Sequence, residues 1–395
     1  MKKITDTEQI RAANRKQIIA ALRTHGPLAR VELCEITGLS PATVTAITSD
    51  LFSIGFLKES SAPQEGHQGR GRPKVNIDLN AEAAFVIGIL PSVNQLAFVL
   101  GDLKGNLKET HSVAIQLDRL DEKQFITLVI DGINDFLAFT GIERSRLSAI
   151  GIAMQGPVDS EAGIITWSPA LSIKNVQICQ PLAERFGVPV AIANDSDIVA
   201  LALRHLNNYA QDTNLVSIVL GQGVGMGALI NGQLYSGSRG AAGEFGHVKF
   251  NLEGPQCRCG ARGCIEAYSG DYALYRDAAT IMHLPMSDNH RPTAAQMQAI
   301  LDEMENGNEA LQRIFDQAGR VLGLGIANLI TVLDPERVIV TGAGVRGYQY
   351  MEESLKKAMS ESLLPNHSTD IVESYSWQED LKATGVIQLS LEQGD

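Results

Sequence analysis

Four potential metal ligands stand within eighteen residues: His247, Cys257, Cys259 and Cys264, spaced H-x9-C-x-C-x4-C. One imidazole and three thiolates make a closed tetrahedral donor set, the pattern of structural zinc. Gly260 and Gly263 let the chain fold back around an ion. Two acids, Glu244 and Glu266, flank the cluster, and carboxylates suit the paired hydroxyls of a sugar. The expectation is one structural Zn2+ per chain beside a carbohydrate pocket.

The other two cysteines, Cys34 and Cys179, lie far apart in apolar surroundings and read as small buried hydrophobes, not as a disulfide framework. At 395 residues the chain has room for two or three domains. No apolar run reaches the roughly 18 residues of a membrane span. The N-terminus lacks the apolar stretch of a signal peptide, so a cytoplasmic protein without membrane insertion is expected. The net charge of −12 is unevenly spread. Residues 1–80 carry 11 Lys+Arg against 8 Asp+Glu (net +3), leaving 22 against 37 (net −15) for the remainder. A basic head on an acidic body suits a DNA-binding module joined to something that must stay off DNA.

The head reads as a winged helix-turn-helix over residues 1–80. Ile10, Ala13, Ile18, Ala21 and Leu22 mark one face of a helix from Thr7 to Thr24. A short second helix, Ala29 to Thr37, presents Val31, Leu33 and Ile36, and Gly38 permits a turn. Ser40-Pro41 then starts a third helix, with a serine cap and proline at the first helical position. Its buried stripe is Val44, Ile47 and Leu51; Ser40, Ala42, Thr43, Thr45 and Ser49 form a small, hydroxylic outer face fit for a major groove. Two strands around Gly69-Arg70-Gly71-Arg72-Pro73-Lys74 make a wing, whose Arg70 and Arg72 are expected in a minor groove, with A/T-rich tracts favoured.

Residues 81–395 read as α/β with a duplicated layout. Strands are expected at Phe85–Leu90, Leu96–Asp102 and Val113–Leu117, then a helix from Asp121 and a strand from Leu147 to Ala153. The strand Val190–Ala193 delivers Asn194-Asp195 at its carboxyl end. Later come Leu215–Leu220, the glycine segment Gly221 to Gly227, a helix from Ala318 to Leu333 with close-packing Gly323 and Gly325, and the strand Arg337–Thr341. Two lobes are expected, with ligands at strand carboxyl ends.

Gly221 through Glu244, Gly246 and His247 to Cys264-Ile265-Glu266 resembles the signature of the ROK family (repressors, open reading frames and kinases). The resemblance implies an actin-like, hexokinase-type two-lobe fold, with a small lobe of 81–193 plus 375–395 and a larger one of 194–374. It also implies that His247 holds metal through one ring nitrogen and a sugar hydroxyl through the other. Gly156, Asn194, Asp195, Glu244 and Glu266 complete the implied sugar-binding set.

Asp195 matches the family's catalytic base, yet the chain is expected not to be an enzyme. Family kinases carry Asp-x-Gly-Gly-Thr on the first hairpin, and Gly88-Ile89-Leu90-Pro91-Ser92-Val93 stands there instead. The aspartate and paired glycines are missing, and proline removes an amide donor. Phosphoryl transfer rests on positioning and charge neutralisation, so that loss is severe. A further departure is Ala170 after Ser168-Pro169, where kinases often have asparagine. The leading expectation is a sugar-responsive transcriptional repressor of carbohydrate genes. It would act as a homodimer or tetramer on a palindromic operator, with a sugar or sugar phosphate as effector. The rivals are a sugar kinase with a DNA-binding head and a repressor controlled by a transporter protein.

Overall fold

The computed structural model describes residues 7–60, 75–206, 209–286 and 291–394. Arg70 and Arg72 therefore lie outside the described residues. The chain forms two compact units, Met1–Asn194 with Lys382–Asp395, and Asp195–Leu381. The crossings fall at 194/195 and 381/382, where the sequence reading placed them at 193/194 and 374/375.

The first unit begins with α1 (Thr7–His25), β1 (Leu28–Ala29), α2 (Arg30–Thr37), α3 (Pro41–Ser53), β2 (Leu57–Glu59) and β3 (Asn76–Leu79). The three strands pair antiparallel in the order β1-β3-β2. Gly38, at φ +69°, closes α2, and the Ser40 side chain accepts from Thr43 N to open α3. Ile18, Leu22, Leu33, Val44, Ile47 and Leu51 close on Ile77 and Leu79 as one core. Four residues expected on apolar faces are exposed: Ile10 (50%) and Ala13 on α1, and Val31 (58%) and Ile36 (46%) on α2. An eight-residue helix buries a single narrow stripe, and Leu33 fills it.

The same unit continues with β4 (Phe85–Ser92), β5 (Gln95–Asp102), β6 (Leu107–Ala114), α4 (Glu122–Thr140), β7 (Leu147–Met154), β8 (Val158–Asp159), β9 (Ile164–Ile165), β10 (Val176–Gln177), α5 (Cys179–Phe186) and β11 (Val190–Asn194). Its main sheet runs β11-β7-β4-β5-β6, parallel on the β11 side and antiparallel on the β6 side. The third strand begins at Leu107, not at Val113 as expected. All eight of its residues are exposed at the sheet edge, so hydrophobic alternation could not mark it.

The final helix, α12 (Leu381–Gly394), is fitted to this sheet through its glycines. A Cβ on Gly88 would lie 2.3 Å from Val386, one on Gly101 2.5 Å from Ile387, and one on Gly151 2.4 Å from the Ser390 hydroxyl.

The second unit holds α6 (Asp197–His205), β12 (Leu215–Leu220), β13 (Val224–Ile230), β14 (Gln233–Leu234), α7 (Glu266–Ser269), α8 (Asp271–Met282), α9 (Ala294–Glu305), α10 (Glu309–Leu333), β15 (Arg337–Thr341), α11 (Glu352–Ser360) and β16 (Val372–Ser374). Its sheet runs β14-β13-β12-β15-β16. Ranked by chain order, the strands of both large sheets read 3-2-1-4-5, so the duplication is one of topology. The long α10 starts at Glu309, ahead of the expected Ala318, because the Asn308 side chain caps it by accepting from Ala310 N and Leu311 N.

No helix among the described residues is long and apolar enough to cross a membrane.

Candidate metal centre and associated polar residues

His247, Cys257, Cys259 and Cys264 converge, with their ligand atoms all within 4.8 Å of one another. Cys259 Sγ lies 3.7 Å from Cys264 Sγ, and Cys257 Sγ lies 3.7 Å from His247 Nδ1. A tetrahedron with metal–sulfur bonds near 2.3 Å and metal–nitrogen bonds near 2.0 Å has edges of roughly 3.5–3.8 Å. The donor set and these two separations fit a tetrahedral ion, with Nδ1 the ring nitrogen beside Cys257. The other ring nitrogen, Nε2, lies 3.6 Å from Glu244 Oε2.

The local fold explains how four residues separated by ten, two and five positions meet. Phe245–His247 form one 3-10 turn, and Gly246 seats it on β13, since a Cβ there would lie 2.1 Å from Val224 O. The chain then runs extended and pairs Lys249 with Cys264, while Ile265 N donates to Val248 O at 3.0 Å. Between them, Cys257 N donates to Ala261 O and Gly260 N to Cys257 O, a tight turn with Gly260 at φ +87°. Gly325 of α10 leaves room beneath: a Cβ would lie 2.6 Å from Ile265 and 2.9 Å from Phe245. Both flanks of the cluster thus rest on one helix.

Glu266 is 8% exposed and ties this loop to the glycine segment. Its Oε2 accepts from Val224 N at 3.1 Å, and its Oε1 lies 3.5 Å from Cys257 Sγ. Gly223 makes the approach possible, because a Cβ there would lie 2.4 Å from Oε2. Glu244 has a half-exposed side chain. Desolvation by surrounding protein raises its pKa, the Glu266 charge adds to this, and His247 opposes it. Burial alone would lower the His247 pKa, but Glu266 foremost, with Cys264, Cys259 and Glu244, turns the net shift upward. Such a cluster favours positive charge, as a cation site should.

The remaining residues of the expected sugar set lie on other elements. In the first unit Asn194, at the carboxyl end of β11, donates from Nδ2 to Gly156 O at 2.9 Å. Gly156, at φ +95°, follows β7, and a Cβ on it would meet Trp167 O at 2.6 Å. Asp195 opens the second unit just ahead of α6. The adjoining Ser196 is packed so tightly on β13 that a Cβ on Gly225 would lie 2.1 Å from its hydroxyl. Sequence reasoning missed two side chains at the cluster. Lys249 Nζ lies 2.7 Å from Cys264 Sγ, and the Tyr272 hydroxyl lies 3.6 Å from Cys257 Sγ. Nothing in the local pattern marks Lys249, because it reaches the cluster through its backbone pairing with Cys264, fifteen residues away.

Gly88 to Ser92 form plain β4, paired through Pro91↔Leu96 and Ser92↔Gln95. On α3, Ala42, Thr45 and Ser49 are exposed, and Thr43 is half-buried. Thr45 Oγ1 donates to Pro41 O at 2.7 Å and Ser49 Oγ to Thr45 O at 2.8 Å, so both hydroxyls are tethered to their own helix. Ser40 Oγ and Thr43 Oγ1 are 2.8 Å apart at its start.

Comparison with known proteins places this arrangement. The chain is 28% identical to a putative xylose repressor of Caldicellulosiruptor sp. (strain Rt8B.4), over 87% of this chain and 86% of that protein. It is 25% identical to the xylose repressor of Bacillus spizizenii, over 92% and 90%. Among solved structures, a ROK family transcriptional regulator homologous to the Escherichia coli MLC protein superposes with a TM-score of 0.82 at 24% identity, covering 98% of this chain and 97% of that one. A ROK hexokinase from Thermus thermophilus superposes with a TM-score of 0.65 at 25% identity, covering 78% of this chain and 97% of its own. The ROK family model matches residues 86–392, and the chain belongs to the ROK family.

Proposed function

We propose that the chain is a sugar-responsive transcriptional repressor of carbohydrate uptake or catabolism genes. In this reading residues 1–80 are a winged helix-turn-helix that binds a palindromic operator through α3, with Ser40, Ala42, Thr43, Thr45 and Ser49, and through Arg70 and Arg72. The carrying observation is coverage. The hexokinase accounts for 78% of this chain with 97% of its own length, whereas the repressors and the ROK regulator extend over the head as well. The relatives named for xylose make a pentose the first effector to try.

Gly156, Asn194, Asp195, Glu244, His247 and Glu266 are the proposed sugar-binding residues. Zn2+ is the proposed ion at His247, Cys257, Cys259 and Cys264. When bound, it fixes the imidazole's orientation and tautomer through Nδ1. Nε2 is then left for a hydroxyl, with Glu244 beside it. Sugar binding alters operator affinity, and by linkage the operator alters sugar affinity by the same factor. A homodimer or tetramer supplies paired heads to the palindrome.

The test selects binding sites from random duplexes with the full-length zinc-loaded protein. Operator affinity is then titrated with D-xylose, other pentoses, hexoses and their phosphates. A palindromic consensus whose affinity shifts with one sugar class supports the reading. A protein with no sequence preference, or with affinity indifferent to every sugar, rules it out.

The kinase reading keeps one specific support, Asp195 directly ahead of Ser196 and Asp197, which pack on the glycines of β13. Against it stands the Gly88–Val93 segment, of which Gly88 to Ser92 lie in β4 with Gly88 packed close to Val386. A coupled ADP-release assay over the same sugars is expected to stay at background, and turnover with any of them would reverse the assignment.

A further inference from the structure

The ligand set places an excess negative charge in the protein. Three thiolates, one neutral imidazole and a divalent cation sum to −1, and Cys264 is fully buried while Cys257 is 3% exposed. A charge in such surroundings requires a partner or a hydrogen-bond donor. Lys249 supplies both. Its Nζ is 2.7 Å from Cys264 Sγ, and backbone pairing of Lys249 with Cys264 fixes that approach. The Tyr272 hydroxyl, itself on a buried residue, donates toward Cys257 Sγ at 3.6 Å. Arg258 stacks on the Tyr272 ring at 4.1 Å and holds it.

Resting on the metal reading above, we infer that Lys249 is a positioning residue of the metal centre. Its ammonium donates to the Cys264 thiolate and brings the net charge of centre and partner to zero; Tyr272 does the lesser, uncharged part of the same work at Cys257. Lys249 touches neither the ion nor a sugar in this assignment. It acts through a ligand, as outer partners of metal-binding side chains do. Because its own residue is exposed, replacing it removes the donor without opening the core.

The test uses the full chain loaded with Zn2+ or Co2+ alone. Lys249→Met is expected to release zinc to a chromophoric chelator with affinity weakened about 10- to 100-fold. Lys249→Arg, which keeps the charge, stays much nearer wild type. In the Co2+ form, losing a hydrogen bond raises the energy of the sulfur lone pair. The thiolate-to-cobalt charge-transfer band of Lys249→Met therefore moves to longer wavelength, a shift that a merely structural lysine would not cause. Tyr272→Phe is expected to move retention in the same direction by a smaller factor. Unchanged retention and an unchanged band in Lys249→Met overturn the inference. A wild-type chain that takes up neither ion overturns the metal reading, and this inference with it, and is recognised before any variant is made.

Discussion

Lys104, on the turn between β5 and β6, reaches Asp78 of β3 at 2.6 Å, joining the hairpin of the ROK body to the N-terminal head. The turn is built for this. The buried Asp102 carboxylate accepts from Lys104 N at 2.9 Å and Asn106 N at 3.0 Å, setting the loop rigidly. Between them Leu103 is 2% exposed inside the head's core, and its carbonyl accepts from Arg23 Nε at 3.2 Å. The head thus borrows a core residue from the body.

Truncating that residue should loosen the head selectively. Leu103→Ala is expected to cost about 2–5 kcal/mol of head stability. Hydrogen exchange should report faster opening at Ile18, Leu33 and Ile77, with the β12–β15 core of the second unit unaffected. Equal protection in variant and parent would mean that the head holds itself together without Leu103.

Removing the metal should unfasten the segment from Phe245 to Glu266. The described core around Cys257 and Cys264 is small, with Ala267 and Ala261 beside them, so the loop has little else to hold it. A strong chelator is expected to lower the melting temperature and to raise proteolysis between Lys249 and Arg262. A chelated protein with the melting curve of the loaded one would show that the loop stands without an ion.

A methyl group at Gly223 should act first on Glu266, one of the proposed sugar-binding residues and a neighbour of Cys257. Gly223→Ala would press on Glu266 Oε2 and displace it from Val224 N. Effector affinity is expected to fall about tenfold or more, in line with losing a hydrogen bond to a charged group. In protein loaded with Zn2+, metal content read by elemental analysis is expected to match that of the parent treated in the same way. Undiminished sugar affinity in calorimetry would remove Glu266 from the proposed set.

Acid stability offers a check away from the site. Glu336 accepts from Asn214 N at 2.7 Å and from Thr213 N at 2.6 Å, and these bonds hold its pKa below the usual glutamate value. A depressed carboxylate stabilises the fold above its unfolded pKa, near 4.5, and that contribution is lost as pH falls through the lower folded value. Glu336→Gln should therefore be less stable than the parent at pH 7, and the difference should shrink as pH falls below the ordinary glutamate range. A constant difference in melting temperature over that range would refute the assignment.

What was legible in the sequence was what is local. The convergence of His247, Cys257, Cys259 and Cys264, the Ser40 cap and the strand–helix alternation each depend on residues close in the chain, and their spacing carries the geometry. Val31 and Ile36 look like core but face outward, because hydrophobicity alone does not say which stripe a two-turn helix buries. Leu103 has the opposite problem. In sequence it is an ordinary residue ahead of a Gly105-Asn106 turn, and only tertiary docking puts it inside another subdomain. Lys249 lies between these cases, since its strand partner Cys264 is fifteen residues away and its role depends on both neighbours.

The glycine-seated α12 bears on the order in which the molecule can be made. Lys16 Nζ bonds the Glu392 carbonyl, and Val386, Ile387 and Ser390 fill the hollows left by Gly88, Gly101 and Gly151. The second unit is one unbroken stretch of chain, whereas the first needs both its beginning and its end. On the ribosome, Asp195–Leu381 can close as it emerges, while the sheet synthesised before it waits for the last helix with its hydrophobic hollows uncovered. The head's own core needs nothing later than Leu103, so only its Lys16–Glu392 bond waits for α12.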